Sequence, residues 1–163
     1  MEEFYVELVQ QYGIINLYSI RFDGEEHTEF EKFMMKYKNN KTYQEDLSGI
    51  FAWLARISRF GALERYFRPE GRYGSGVMAI PIEVNRLRLY CIRISDNILI
   101  LGNGSEKDAG KWQESETLKP MVELLSDADR FIHSRFKNNQ IKIDRKNLLV
   151  GNLKFKRKDN ENK

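Results

Sequence analysis

The stretch with the clearest chemical content runs from Arg86 to Cys91, where charged or aromatic residues alternate with apolar ones. Side chains alternate between the two faces of a β-strand, so Arg86, Arg88 and Tyr90 are predicted to share one face and the apolar residues the other. A guanidinium group binds phosphate through two parallel hydrogen bonds. This face is therefore a candidate phosphate-binding ridge, and the alternative is an ordinary solvated end of a sheet.

The segment 68–76 is rich in glycine and contains a proline, so it is predicted to be a loop. It would present Arg68, Arg72 and Tyr73 to solvent. Loops that carry arginine and tyrosine beside glycine suit phosphate contact, although a flexible surface loop is the commoner explanation.

The segment 102–111 is predicted to be a second loop, and it offers Lys107 and Lys111. Its Gly-x-Gly lacks the third glycine of a dinucleotide-binding motif, and the segment does not match a Walker phosphate-binding loop. The segment is therefore not a candidate for nucleotide-cofactor binding.

Other chemistries lack the residues that they need. The single cysteine, Cys91, excludes an internal disulfide, and no second cysteine stands near His27 or His133 to form a zinc site. Neither a nucleophile motif with a suitable histidine nor carboxylates at two-metal spacing are found.

What remains is metal-free RNA cleavage, in which the 2′-hydroxyl attacks the adjacent phosphate and Arg or Lys stabilises the developing charge. A Tyr, Lys or neighbouring base would move protons, and no metal or cofactor is expected.

The formal charge of +3 hides a polarised distribution. Residues 1–55 carry ten acids and five bases, whereas residues 56–93 carry eight arginines, no lysine and three acids. A solvated surface normally mixes lysine with arginine, so this segment favours planar contact with phosphate or carboxylate. Ion pairing with the acidic first third of the chain explains the arginines equally well.

Hydrophobic periodicity predicts the elements that position these residues. A strand is predicted over 14–23, followed by two helices that begin at capping boxes at Thr28 and Thr42, the second ending at Gly61. The two helices would form a hairpin packed on a sheet.

The rest of the chain returns to strands. Three are predicted over 77–81, 86–95 and 98–101, and a third helix over 117–136. Two final segments, 141–144 and 148–155, are predicted to form a closing β pair.

These elements predict a single α+β domain over residues 1–155, with a basic polar tail over 156–163. Its sheet would be antiparallel, with an N-terminal helical hairpin and a further helix packed on it. The apolar runs are too short to cross a bilayer, and the acidic first residues are unlike a signal peptide. We therefore expect a soluble, cytoplasmic protein without a membrane partner.

The order of a strand, two helices, three antiparallel strands and a helix resembles the RelE/HigB-like toxin superfamily of bacterial toxin–antitoxin systems. The resemblance covers roughly residues 14–135. It is carried, in order, by Leu54-Ala-Arg-Ile-Ser-Arg-Phe-Gly-Ala62, Val77-Met-Ala-Ile-Pro81, Leu87-Arg-Leu-Tyr90, and Ile98-Leu-Ile-Leu-Gly102 followed by Lys107. These segments resemble the family's helix ending in glycine, its short strand, its arginine strand, and its apolar strand leading to a lysine-bearing loop.

The resemblance implies an mRNA interferase that cleaves mRNA in the ribosomal A site and is held inactive by a cognate antitoxin, expected to be of the helix-turn-helix type. At the matching positions, Arg88 and Lys107 would stabilise the phosphate, and Tyr90 would complete the catalytic set. The nucleic-acid-binding residues in this interpretation are Arg68, Arg72, Tyr73, Arg86 and Lys111.

Two further hypotheses stay open. A non-catalytic protein-interaction domain on the same scaffold would use the arginine face to dock an acidic surface. In support, the folded body is neutral, and the lysine pair of the family is reduced here to Glu106-Lys107-Asp108. The third hypothesis is a small phage-related or structural protein.

Overall fold

The computed structural model describes residues 2–67, 72–73, 76–81, 86–107 and 112–157, with the backbone but not the side chains given for 72–73 and 112. These residues form an α+β fold in which a mixed sheet carries helices on both faces. The helices are α1 (Glu29–Tyr37), α2 (Gln44–Phe60) and α3 (Leu118–Lys137). The strands are β1 (Glu3–Tyr12), β2 (Ile15–Phe22), β3 (Arg72–Tyr73), β4 (Val77–Ala79), β5 (Leu87–Ser95), β6 (Ile98–Glu106), β7 (Ile141–Ile143), β8 (Leu149–Gly151) and β9 (Lys154–Lys156).

In the described part of the chain the main sheet has the order β3-β4-β5-β6-β2-β1-β9, and β7 and β8 form a separate ladder. The strands β2 and β6 run parallel, with Tyr18 opposite Ile100, and the other pairs are antiparallel. The predicted antiparallel sheet is therefore wrong at its centre. The two helices and three strands between β2 and β6 form a crossover long enough to return the chain in the same direction.

The described chain begins with strands, so the predicted N-terminal helical hairpin is wrong: α1 and α2 follow β1 and β2. In β1, buried Phe4 and Val6 alternate with polar residues, which is the period of a half-buried strand. A tight turn at Gly13, where φ is +59°, joins β1 to β2.

Apolar cores cover both faces of the sheet. On one face Leu17, Leu89 and Leu99 pack with residues of α2 such as Ile50 and Ile57. The opposite face packs against α3 and the β7–β8 ladder, and its core includes Tyr18, Ile92, Ile100, Leu125 and Ile132. The central strands read as nearly continuous apolar runs because both of their faces are buried.

The helix boundaries test the capping predictions. Thr28 and Glu31 form the predicted capping box at the start of α1. The second predicted box is wrong, because residues 41–43 form a 3-10 turn capped by Asn40 and α2 begins only at Gln44. The predicted end of α2 at Gly61 is confirmed, and α3 lies within one residue of its predicted bounds.

The closing segment 148–155 contains two strands with different partners. β8 pairs with β7, whereas β9 joins the main sheet beside β1. The buried Arg135 fixes this arrangement, because its Nη1 donates to the carbonyls of Asn152 and Lys154 and its guanidinium lies 4.0 Å from the Phe155 ring centroid. Arg157, just beyond β9, pairs with Glu2 and Asp127, so ordered structure extends past residue 155.

Gly13 provides a test of how the β1–β2 turn packs on α2. A Cβ atom at Gly13 would lie 2.1 Å from the Ser58 carbonyl oxygen, whereas one at Gly24 meets nothing, although φ at Gly24 is also positive, at +84°. We expect Gly24→Ala to cost about 1 kcal/mol from backbone strain and Gly13→Ala about 3 kcal/mol, since the turn must also move off the helix. Urea unfolding of both variants measures the difference, and equal losses would contradict the close packing.

Candidate functional site

The end of the β5–β6 ladder brings together basic residues that are distant in sequence. Arg86 lies directly before β5 and Lys107 directly after β6, and the Lys107 N–H donates to the Arg86 carbonyl at 2.9 Å. Arg88 lies opposite Ser105 in the same ladder. We call these three basic residues, with the neighbouring Tyr37, Asp46 and Glu106, the sheet-end cluster.

A glycine sets the backbone around Arg88. The pairing of β5 with β6 shifts register between Leu89 and Cys91, and a Cβ atom on Gly104 would lie 1.8 Å from the Arg88 carbonyl oxygen. Only glycine allows this approach of the two strands. Leu89 packs on the α1–α2 core, so strand alternation places the half-buried Arg88 on the opposite face.

Arg86 is held by a buried carboxylate on α2. Asp46 is fully buried, and its Oδ2 accepts hydrogen bonds from the backbone N–H groups of Arg86 and Leu87, both at 2.9 Å. The Arg86 Nε lies 3.4 Å from Asp46 Oδ1, and its guanidinium lies 5.8 Å from the Tyr43 ring centroid. Asp46 therefore fixes the start of β5 and neutralises part of the Arg86 charge.

Glu106, the last residue of β6, is bonded to Tyr37 of α1 and is held ionised. Tyr37 Oη donates to Glu106 Oε2 at 2.7 Å, and Ser105 Oγ donates to the same oxygen at 2.9 Å. The Tyr37 hydrogen bond is the main cause that lowers the pKa of the Glu106 carboxyl, and nearby Lys36 adds to the effect. Burial raises the pKa of the Tyr37 phenol, so this pair stays a neutral donor and a carboxylate acceptor.

The two parts of the cluster are contiguous. The rings of Tyr37 and Tyr43 meet edge to face at 5.4 Å, and Tyr43 in turn lies against Arg86. The exposed Lys107 and the half-exposed Arg86 thus lie at the same end of the sheet as the ionised Glu106, and the half-buried Arg88 lies at that end on the opposite face. Such an arrangement supplies cations for an anionic group and an acceptor for a proton.

Tyr90 does not lie on an exposed ridge, and that prediction is wrong. The side chain of Tyr90 is fully buried in the core that packs against α3, because β5 is an interior strand between β4 and β6. Arg86 instead directs its side chain to Asp46 on α2. The alternation of Leu87 and Leu89 onto one core face is confirmed.

The structure describes only some of the residues that were predicted to lie in the two loops. Arg68 and Lys111 lie outside the described residues. The backbone of Arg72 and Tyr73 forms β3, with Arg72 opposite Met78 and Tyr73 opposite Val77, so a continuous loop over 68–76 is wrong at these two positions. The pairing partner is β4, which no local signal in the segment identifies.

Asp46, Tyr37 and Glu106 were not predicted as site residues. Asp46 looks like its neighbour Glu45, since both are acids in the first turn of a helix, where the helix dipole favours them. Tyr37 falls on the apolar stripe of α1, and Glu106 is one acid among several in its segment. The contacts that bring these three residues into the cluster join separate elements, so local sequence carries no sign of them.

The remaining reactive side chains give no other centre. Within the described ranges, no three His, Cys, Asp or Glu side chains are grouped as metal ligands, and no helix is long and apolar enough to span a membrane. Burial strongly raises the pKa of the Cys91 thiol, which keeps it from forming a nucleophilic thiolate. A pocket of about 350 Å³ is lined by Phe22 and four acids, which do not suit an anionic ligand.

Comparisons of the chain with protein-family models, with curated proteins and with solved structures find no match.

Asp46 is expected to be a major source of stability at the sheet-end cluster. Asp46→Ala leaves the N–H groups of Arg86 and Leu87 without their acceptor, so we expect a loss of about 2–4 kcal/mol in the free energy of unfolding. Asp46→Asn keeps one acceptor oxygen and should lose less. Chemical unfolding measures both, with the exposed neighbour Glu45→Ala as the control, and a loss no larger than that of the control would show that Asp46 is dispensable.

His133 forms an ion pair with Asp129 within α3. Its Nδ1 lies 3.2 Å from Asp129 Oδ1 and 2.8 Å from the Asp129 carbonyl oxygen. The hydrogen bond to Asp129 raises the pKa of His133 from 6.5 to about 9. The imidazolium is therefore favoured in the folded state.

This pair predicts a pH dependence of stability. Protonated His133 stabilises the fold fully below pH 6.5, and the contribution falls as pH rises through about 9. Because 58% of the side chain is exposed, solvent screening limits the effect to about 1 kcal/mol or less. An NMR titration of His133 gives the pKa. A value near 6.5, or the same pH dependence in His133→Gln, would contradict the prediction.

Proposed function

We propose that this protein is a RelE/HigB-like toxin that cleaves mRNA on the ribosome without a metal ion. The order β2, α1, α2, β4, β5, β6, α3 supports the proposal, since it is the element order on which the resemblance rests. The observation that carries it is that Arg88 and Lys107 lie at the same end of the β5–β6 ladder, with Arg88 opposite Ser105 and the Lys107 N–H bonded to the Arg86 carbonyl.

In the proposed reaction, the 2′-hydroxyl of the RNA attacks the adjacent phosphorus. The new P–O2′ bond forms as the P–O5′ bond breaks, giving a 2′,3′-cyclic phosphate and a 5′-hydroxyl. Arg88 and Lys107 stabilise the charge on the non-bridging phosphoryl oxygens. Glu106, the residue before Lys107 in sequence, accepts the 2′-hydroxyl proton as a weak base, since its pKa is lowered, and water supplies the proton for the departing 5′-oxygen.

The proposal also assigns partners and location. The ribosome and its mRNA would be the substrate complex in the cytoplasm, and a cognate antitoxin of the helix-turn-helix type would block the activity. Arg86, whose side chain is 50% exposed, would contribute to RNA binding. Arg68, Arg72, Tyr73 and Lys111 remain candidate RNA contacts.

Internal ion pairing favours a second candidate function, a non-catalytic protein-interaction domain. Arg86 is paired with buried Asp46, and Arg93 is paired with Glu64 and Asp96. These two arginines are partly neutralised within the fold, which reduces the charge left for phosphate. Such a domain would bind a protein and neither ribosomes nor RNA.

Induced expression tests the proposal. We expect the wild type to arrest growth and cleave transcripts, and Lys107→Ala to reduce cleavage on the order of 10²-fold, because a charge-stabilising donor is lost. We expect Arg88→Ala to reduce cleavage as well. Lys107 is exposed, so its substitution tests the site without unfolding the chain.

The matched control is Lys119→Ala, an exposed lysine on α3, which should cleave RNA like the wild type. Soluble wild type that leaves growth and transcripts unchanged would contradict the proposal, as would full activity in Lys107→Ala. Binding to a protein without affinity for ribosomes or RNA would favour the second candidate.

A further inference from the structure

A second basic surface lies at the C-terminal end of α2 and in the turn that follows. The chain carries no acid between Asp46 and Glu64, and Arg56, Arg59 and Arg65 are all exposed. Among the described residues, no carboxylate forms an ion pair with any of these three arginines. By contrast, such pairs are made by Arg21, Arg86, Arg93, Arg130 and Arg157.

Two of these arginines lie against the same tyrosine ring. The guanidinium carbons of Arg56 and Arg65 are 5.0 and 5.2 Å from the ring centroid of Tyr66, within the range of cation–π attraction. A hydrogen bond from Arg65, together with the charge of Arg56, lowers the pKa of the Tyr66 phenol. The two guanidinium groups therefore concentrate positive charge at this ring.

The turn that carries Arg65 and Tyr66 is fixed to the helix. The buried Trp53 of α2 donates from Nε1 to the Tyr66 carbonyl at 3.4 Å, and its ring meets Phe67 edge to face at 5.3 Å. The two arginines are thus presented from a rigid platform. Binding would therefore cost little ordering of the backbone.

Glu64, the acid within this turn, already forms an ion pair. Arg93 pairs with Glu64 through Nη1 and with Asp96 through Nη2. The guanidinium of Arg59 lies 5.6 Å from the Phe60 ring, and Phe60 is 54% exposed. Within the described part of the chain, the surface therefore combines arginines without a carboxylate partner and an exposed aromatic ring.

We propose that this surface, formed by Arg56, Arg59, Phe60, Arg65 and Tyr66, binds single-stranded RNA. The guanidinium edges contact phosphates, and the exposed ring of Phe60 stacks on a base. An acidic peptide would satisfy the cations but would leave the aromatic ring without a partner. RNA supplies both a phosphate and a π face, so the observations favour it over an acidic protein.

This surface lies along α2 from the sheet-end cluster. Asp46, which holds Arg86, and Arg56 are ten residues apart on the helix, which is about 15 Å. One RNA strand of several nucleotides can therefore span both regions. The binding itself does not depend on cleavage at the sheet-end cluster.

Fluorescence anisotropy with a labelled single-stranded 2′-O-methyl RNA tests the proposal. This RNA lacks the attacking hydroxyl, so binding is measured whether or not the protein cleaves RNA. We expect Arg56→Gln/Arg65→Gln to weaken binding at least tenfold and to lower the slope of log K against log salt by about 1.4, since each lost phosphate contact on a single strand removes about 0.7. Phe60→Ala should weaken binding several-fold without a change in slope.

The control, Arg130→Gln/Arg145→Gln, removes the same net charge from α3 and the β7–β8 turn and should bind within about twofold of the wild type. Equal losses in the two double variants would overturn the proposal, because net charge would then explain the binding. Competition by polyglutamate as effective as that by unlabelled RNA would assign the surface to an acidic protein. Absence of RNA binding by the folded wild type at low salt would also overturn it.

Discussion

The strand β6 is the constraint on which the rest of the structure depends. It pairs with β5 on one side and with β2 on the other, and its residues Ile98–Leu101 are fully buried on both faces. Leu99 and Leu101 belong to the core with α1 and α2, whereas Ile98 and Ile100 belong to the core with α3. Both cores therefore pack against this one strand. A register slip of one residue would move the side chains of β6 from each core to the other.

The same strand determines the geometry of the sheet-end cluster. Where β6 leaves the core, Gly104 lies against the carbonyl of Arg88, and the last residues of the strand turn Ser105 and Glu106 toward Tyr37 of α1. Asp46 ties the start of β5 to α2 at the same end of the sheet. Contacts from the helical layer and pairing within the β5–β6 ladder thus both fix the position of the basic residues.

In the fold, the arginines of the basic segment 56–93 have different partners. Of the arginines between residues 56 and 93, Arg86 pairs with the acidic first third of the chain through Asp46, whereas Arg93 pairs with Glu64 and Asp96. The arginines at the end of α2 lie instead against aromatic rings. Ion pairing with the first third therefore accounts for part of the arginine segment only, and the helix end retains its positive charge.

Local sequence determined the capping box of α1, the C-terminal end of α2, the bounds of α3 and the alternation of Leu87 and Leu89, because helix ends and strand faces depend on residues a few positions apart. It also identified Arg88 and Lys107 as candidates, but not their neighbours. The parallel pairing of β2 with β6, the burial of Tyr90, and the contacts of Asp46 and Glu106 were decided by tertiary structure. Each of these features depends on a segment that is distant in sequence but adjacent in the fold. In addition, a strand that is buried on both faces lacks the alternation of polar and apolar residues from which its exposed face could be predicted.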